Sequence, residues 1–275
     1  MRPVSESGID PTRVQVIKKR EDDTFTAARP RGQALWEQGK SVMPNCVPMS
    51  WLRTSYDHLP LFAAHAAGGR FTDVDGHEYA DFNVADMSMF TGYAPPPVVE
   101  AVSRQVADGA QFMLPSEDSI WVAGELGLRW GLPQWQFTLA ATSANTEVIR
   151  VARTHTGRDG VLMFDGKYHG HFDEALVELG PDGVVAEEAG LPADVARRTT
   201  IVPFNDLAAV ERVLATRTIA VVMTEPALTN NVGLQLPDEG FHRALRDITR
   251  STGTLLAYDE THTHVVGRGG LCRMW

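Results

Sequence analysis

Three short, unbroken apolar runs limit the folds open to this chain more than any other feature. They are Val161-Leu162-Met163-Phe164, Ile219 to Met223, and Leu255-Leu256-Ala257-Tyr258. Runs of this length without polar alternation suit strands covered on both faces. Two amphipathic segments lie among them. DLAAVERVLATR has Asn205 or Asp206 as its N-cap, and DEGFHRALRDITRSTG starts at Asp238 and runs into Gly253 as a C-cap. Strand and helix in alternation predict an α/β fold with a mostly parallel sheet flanked by helices.

Upstream the pattern is weaker. Residues 1 to about 50 are polar, carry the run Lys18-Lys19-Arg20-Glu21-Asp22-Asp23, and predict an arm with short helices. From Gly69, alternating apolar residues around an Asp75-Gly76 turn predict a small antiparallel hairpin. Pro95-Pro96-Pro97 opens a helix that stops at Gly109, and Glu117 to Trp130 repeats the helical period.

Charge and cysteine content exclude several classes of function. The 275 residues carry 25 Lys+Arg against 35 Asp+Glu, a formal net charge of −10, so a diffuse basic footprint for nucleic acid or anionic lipid is missing. Cys46 and Cys272 form no pairable framework, and no apolar run is long enough to cross a bilayer. With acids and a proline in MRPVSESGID where a signal peptide needs an apolar core, a cytoplasmic protein is expected. The lysines are Lys18, Lys19, Lys40 and Lys167 alone.

In an open parallel sheet, ligands bind beyond the carboxyl ends of the strands. Here those ends carry Asp165-Gly166-Lys167-Tyr168-His169-Gly170-His171, then Thr224-Glu225-Pro226, then Asp259-Glu260-Thr261-His262-Thr263-His264. A carboxylate such as Asp259 at the end of a buried strand loses hydration and calls for a cationic partner, unless it caps the next helix or pairs with an arginine. Tyr168 is either a stacking platform for a planar ligand or a core ring. His169-x-His171 and His262-x-His264, with Asp165, Asp173 or Glu260, give only a weak metal pattern, and no metal is expected. The stretch from Phe137 to Asn145, a run of small and hydroxyl residues ending in a helix N-terminus, either cradles a phosphate or caps that helix through Thr142 or Ser143.

In this order the segments resemble the large domain of the class III, fold type I, pyridoxal-phosphate aminotransferases, and are most similar to the glutamate-1-semialdehyde aminomutase branch. The residues that carry the resemblance are ATSAN (141–145), Arg150 to Arg153, Thr156-Gly157-Arg158, KYHGH (167–171), PFND (203–206), TEP (224–226), LPDEGF (236–241) and YDETHT (258–263). It implies pyridoxal 5'-phosphate as cofactor, with Ala141 and Thr142 at the phosphate, Tyr168 stacked on the ring, Asp259 on the ring nitrogen and Thr261 beneath the ring. His169 and Glu225 shape the substrate and cofactor pocket together with an asparagine, Asn230 counting from Glu225 or Asn231 counting back from Gly233.

The implied activity is amino-group transfer, of transaminase or 2,1-aminomutase type, on a small amino acid or amino-aldehyde by a homodimer. In domain terms this means an N-terminal arm over 1–68, a hairpin unit and first helix over 69–115, and a partial cofactor-binding large domain over 116–275, with the C-terminal domain absent. The phosphate segment reads ATSAN where much of the family has SGTEA, which removes a glycine. The family's Schiff-base lysine falls beyond Trp275, and arginine cannot replace it. The chain is therefore expected to be inactive or impaired, or else a non-catalytic binding or dimerising module.

Overall fold

The computed structural model describes residues 9–53, 58–181, 183–186, 190–192, 194–230 and 233–275. They divide into two compact units, Met1–Phe112 and Met113–Trp275.

In the first unit the polar N-terminal stretch forms α1 (Pro11–Ala27) and α2 (Pro30–Gly39). The charged run lies within α1 and is accommodated as surface pairs one turn apart, Lys18 with Asp22 and Lys19 with Asp23. The expected hairpin is a three-stranded antiparallel sheet, β1 (Ala63–Ala67), β2 (Arg70–Asp73) and β3 (Glu78–Ala80), in that order. β1 begins before Gly69; its sequence AAHAA lacks the large apolar residues that mark a strand. The β2–β3 turn also caps α2, because Asp75 accepts from the amides of Arg31 and Gly32, both at 2.8 Å. α3 (Pro96–Asp108) ends at Gly109, as its prolines and glycine predict.

The second unit opens with α4 (Glu117–Trp130) and α5 (Ala141–Thr156), followed by β4 (Gly160–Phe164), β5 (Val177–Gly180), β6 (Gly183–Ala186), α6 (Val195–Arg198), β7 (Thr199–Val202), α7 (Leu207–Ala215), β8 (Ile219–Thr224), α8 (Phe241–Thr252) and β9 (Leu255–Tyr258). Its main sheet has the order β7-β4-β8-β9 with every pair parallel. Side chains alternate across it. Leu162, Phe164 and Val222 pack against Val210 and Leu214 of α7 and Phe241 and Leu245 of α8. Val161, Met163, Val221 and Met223 pack against Ile149 and Ala152 of α5. Both faces are thus covered, which accounts for the unbroken runs.

Three expectations are corrected. β9 is an edge strand and only half buried, so its apolar run does not require cover on both sides. α8 starts at Phe241 rather than Asp238, because Gly240 takes a left-handed conformation (φ 80°) and the Asp238 amide donates to Asn205 Oδ1 at 3.0 Å. α5 is capped by neither Thr142 nor Ser143: its N-cap is Ala140, whose side chain offers no acceptor, and both hydroxyl residues lie in the first turn. For α7, Asp206 is the N-cap and accepts from the Ala209 amide.

The Thr156-Gly157-Arg158 motif closes the opposite end of the sheet. Gly157 ends α5 at φ 68°, and the Arg158 guanidinium donates to the carbonyls of Thr252 (2.8 Å) and Ile219 (3.1 Å) and to Thr254 Oγ1 (3.2 Å). It joins the starts of β4, β8 and β9. Arg158→Ala is expected to lower the unfolding free energy by about 2 kcal/mol, and Arg158→Lys to recover less than half of that, because an ammonium cannot reproduce the planar fork. Urea unfolding of the two variants checks this.

Candidate active site

The carboxyl ends of β4, β8 and β9 are neighbours in the sheet and bring their following residues together. Asp259 leaves β9 with its amide donating to the Thr224 carbonyl at 2.8 Å. Its side chain is buried and receives four donors. Oδ2 accepts from Asn145 Nδ2 (2.8 Å) and His169 Nδ1 (2.9 Å); Oδ1 accepts from the Thr261 amide (3.0 Å) and hydroxyl (2.5 Å). Burial by itself would raise this carboxyl, but the hydrogen bond from His169 and both bonds from Thr261 outweigh it and hold Asp259 well below the usual carboxylate range. Among the described residues no arginine or lysine pairs with it, and it caps no helix. The cation expected from sequence is replaced by these donors and the imidazole.

His169 is fully buried, and its Nε2 has no hydrogen-bond partner among the described residues. Tyr168 beside it is 49% exposed. The loop that carries both residues presses on the start of α5. Gly170 adopts φ 109°, and a Cβ there would lie 2.3 Å from Thr142 Oγ1 and 2.9 Å from Thr142 Cα. The His171 amide donates to Thr142 Oγ1 at 3.2 Å. Ala141 and Thr142 therefore sit in a first helical turn, whose amides have no partners within the helix and carry its positive dipole end.

Lys167 anchors the other side of this loop. It is buried, and its Nζ donates to the carbonyls of Ala175 and Val177 (2.5 Å for the latter), holding the loop to the start of β5. At the end of β8, Glu225 is buried with Oε2 accepting from the Thr229 amide (3.1 Å) and hydroxyl (2.6 Å), while Oε1 has no partner among the described residues. The Thr229 hydroxyl also meets His262 Nδ1 at 3.0 Å. Asn230 lies in the next turn, where its carbonyl accepts from Gly233; Asn231 lies outside the described residues.

The adjacent acid Glu260 is used elsewhere. Its carboxylate accepts from the amides of Leu271 and Cys272 and from Thr263 Oγ1. Among the described residues no three His, Cys, Asp or Glu side chains lie close enough to hold a metal ion. His264 Nδ1 instead meets the carbonyls of Glu260 and Thr261.

An aminotransferase class-III family model matches residues 52–274. The chain belongs to the class-III aminotransferases. A curated member of the family, the glutamate-1-semialdehyde 2,1-aminomutase of Anaeromyxobacter dehalogenans (strain 2CP-C), is 37% identical over 254 residues, covering 88% of this chain and 58% of the relative. The crystal structure of a glutamate-1-semialdehyde-aminomutase from Pseudomonas aeruginosa PAO1 superposes with a TM-score of 0.89 at 41% identity, covering 96% of this chain and 58% of that one. A transaminase with PLP bound follows at TM-score 0.82 and 28% identity, covering 89% and 58%. This family member thus has the expected fold type I architecture and spans about 58% of the length of these relatives.

Asn145 is the site residue that sequence reasoning passes over. A signal for it exists: Asn145, Ile149 and Ala152 occupy one buried face of α5 at helical spacing, and an amide in such a row is out of place unless it binds something.

Proposed function

We propose that this class-III aminotransferase binds pyridoxal 5'-phosphate and serves amino-group transfer, of transaminase or 2,1-aminomutase type, on a small amino acid or amino-aldehyde. The observation that carries the reading is Asp259: a buried carboxylate kept ionised by four donors at the carboxyl end of a parallel sheet. Such a group suits a protonated ring nitrogen. The other residues fit the same ligand. The open first turn of α5 at Ala141 and Thr142 suits a phosphate, and the half-exposed Tyr168 suits a planar heterocycle.

When bound, pyridoxal phosphate supplies a protonated heterocycle that withdraws electrons from a carbon losing its proton. The chain's own residues do the rest. Asp259 would hold charge at the ring nitrogen, Thr261 and His169 orient Asp259, and the buried Oε1 of Glu225 would be available to a donor of the ligand. Asn230, in the turn that follows, is the candidate asparagine among the described residues.

Covalent attachment requires an amine that can lose its proton. Lys167, the one lysine of the second unit, has its Nζ engaged by two backbone carbonyls, and no lysine follows it in the sequence. That favours, for the 275-residue chain alone, noncovalent binding without turnover, as in a binding or dimerising module. Exposed Ile120, Trp121 and Leu128 on α4 support a homodimer or a further stretch of polypeptide as cover. We place the protein in the cytoplasm, in keeping with its two free cysteines.

The test is titration with pyridoxal phosphate followed by cofactor absorbance, then borohydride reduction and peptide mass spectrometry. Saturable binding at one equivalent per chain is expected, with no pyridoxyl adduct on Lys167. Absence of saturable binding would overturn the cofactor assignment, and a stoichiometric Lys167 adduct with turnover would overturn the noncovalent one.

A further inference from the structure

A buried asparagine within a helix needs partners for both of its amide hydrogens. Asn145 finds both at the candidate site. Its Nδ2 donates to the carbonyl of His169 at 2.9 Å and to Oδ2 of Asp259 at 2.8 Å. Both partners are oxygens that accept, so the orientation of the amide follows from chemistry: turned over, its own oxygen would face two oxygens.

We propose that Asn145 is a positioning residue that holds the shared proton of the Asp259–His169 pair on Nδ1 of the imidazole and keeps Asp259 ionised. Oδ2 accepts from Asn145 and faces His169 Nδ1 at 2.9 Å, while Oδ1 is occupied by both donors of Thr261. Moving the proton from Nδ1 to Oδ2 would leave the Asn145 N–H donating to a hydroxyl oxygen instead of a carboxylate, a weaker bond between buried groups. The second N–H of the same amide binds the backbone of His169, so one side chain fixes both the imidazole's residue and its carboxylate partner. His169 Nε2, which has no partner among the described residues, then carries no proton in the neutral ring.

For cofactor binding the inference rests on the function proposed above, since it is an ionised Asp259 that would pair with a protonated ring nitrogen. The proton position itself can be read without any cofactor. The experiment uses the 275-residue chain labelled with ¹⁵N-histidine, with the His169 signals assigned from a His169→Gln spectrum. Long-range proton–nitrogen correlations are expected to show a protonated Nδ1 and a bare Nε2 at neutral pH. In Asn145→Leu, which fills a similar volume without donors, the proton is expected to distribute over both nitrogens, and in Asn145→Ser, which keeps one donor, to distribute less.

Affinity for pyridoxal phosphate is expected to fall about tenfold in the leucine variant. A bare Nδ1 in the unsubstituted chain would overturn the inference, and so would a folded Asn145→Leu protein with an unchanged His169 spectrum. If Asn145→Leu fails to fold, the unsubstituted chain and Asn145→Ser decide the question. If the unsubstituted chain binds no pyridoxal phosphate while His169 behaves as described, the cofactor assignment fails and the positioning role stands.

Discussion

Asp259→Ala is expected to weaken pyridoxal phosphate binding by about a hundredfold or more and to lower stability by about 3 kcal/mol. Both effects come from the same atoms. The substitution takes the acceptor from Asn145, His169 and Thr261, and leaves the donors of Asn145 and His169 buried without one. It also removes the charge opposite a cationic ligand group, and loss of one member of a buried charged pair typically costs about 2–5 kcal/mol of binding. Cofactor titration and urea unfolding of the same preparation check the two numbers.

The pH dependence of stability follows from the sign of the shift at Asp259. Its carboxyl is held below the ordinary value in the folded chain, so folding favours the ionised form. That contribution is complete above the unfolded-state value of about 4 and is lost as pH falls through the folded value. Asp259→Asn, which has no proton to take up, is expected to show a shallower decline of stability below about pH 4.

Gly170→Ala is expected to be the second most damaging change, although it adds a single methyl group. The residue sits at φ 109°, where any side chain is strained, and the new Cβ would meet Thr142 at Oγ1, Cα and Cβ within 3.0 Å. The loop from Lys167 to His171 must then lift off the start of α5. That breaks the His171 bond to Thr142 and the Asn145 bond to the His169 carbonyl. A loss of about 2–4 kcal/mol in stability is expected, together with a clear fall in cofactor affinity. The double variant Thr142→Ala/Gly170→Ala separates causes. It removes the hydroxyl but leaves the Thr142 Cα at 2.9 Å, so it is expected to remain impaired in thermal melts and in binding.

How much of this can be read from the amino acids depends on contrast. The runs at 161–164, 219–223 and 255–258 become β4, β8 and β9 because nothing polar interrupts them. β7, with the sequence TTIV, is hard to see because two threonines dilute its apolar signal, yet Val202 and Ile201 are as buried as their neighbours. The hairpin of β5 and β6 is hidden for a related reason: VELG and GVVA are short, and glycine closes the first and opens the second.

At the site, Asp259, Tyr168, His169 and Glu225 stand out because each follows an apolar run. Asn145 does not, since a side chain acting through a residue 114 positions away leaves no local mark beyond its place in a buried row. The role of Lys167 is likewise hidden, because the carbonyls that hold it belong to Ala175 and Val177, whose side chains give no hint of it.

The sheet order has a consequence for how such a protein can change over evolution. β4, β8 and β9 are consecutive rungs, and hydrogen bonding sets adjacent rungs about 4.8 Å apart whatever the side chains are. The spacing between the strand ends from which the KYHGH loop and the aspartate depart is therefore fixed at two intervals. Substitutions in the outer helices can change what surrounds these strand ends without changing that spacing, which leaves the surroundings free to drift while the scaffold that holds Asp259 and His169 persists.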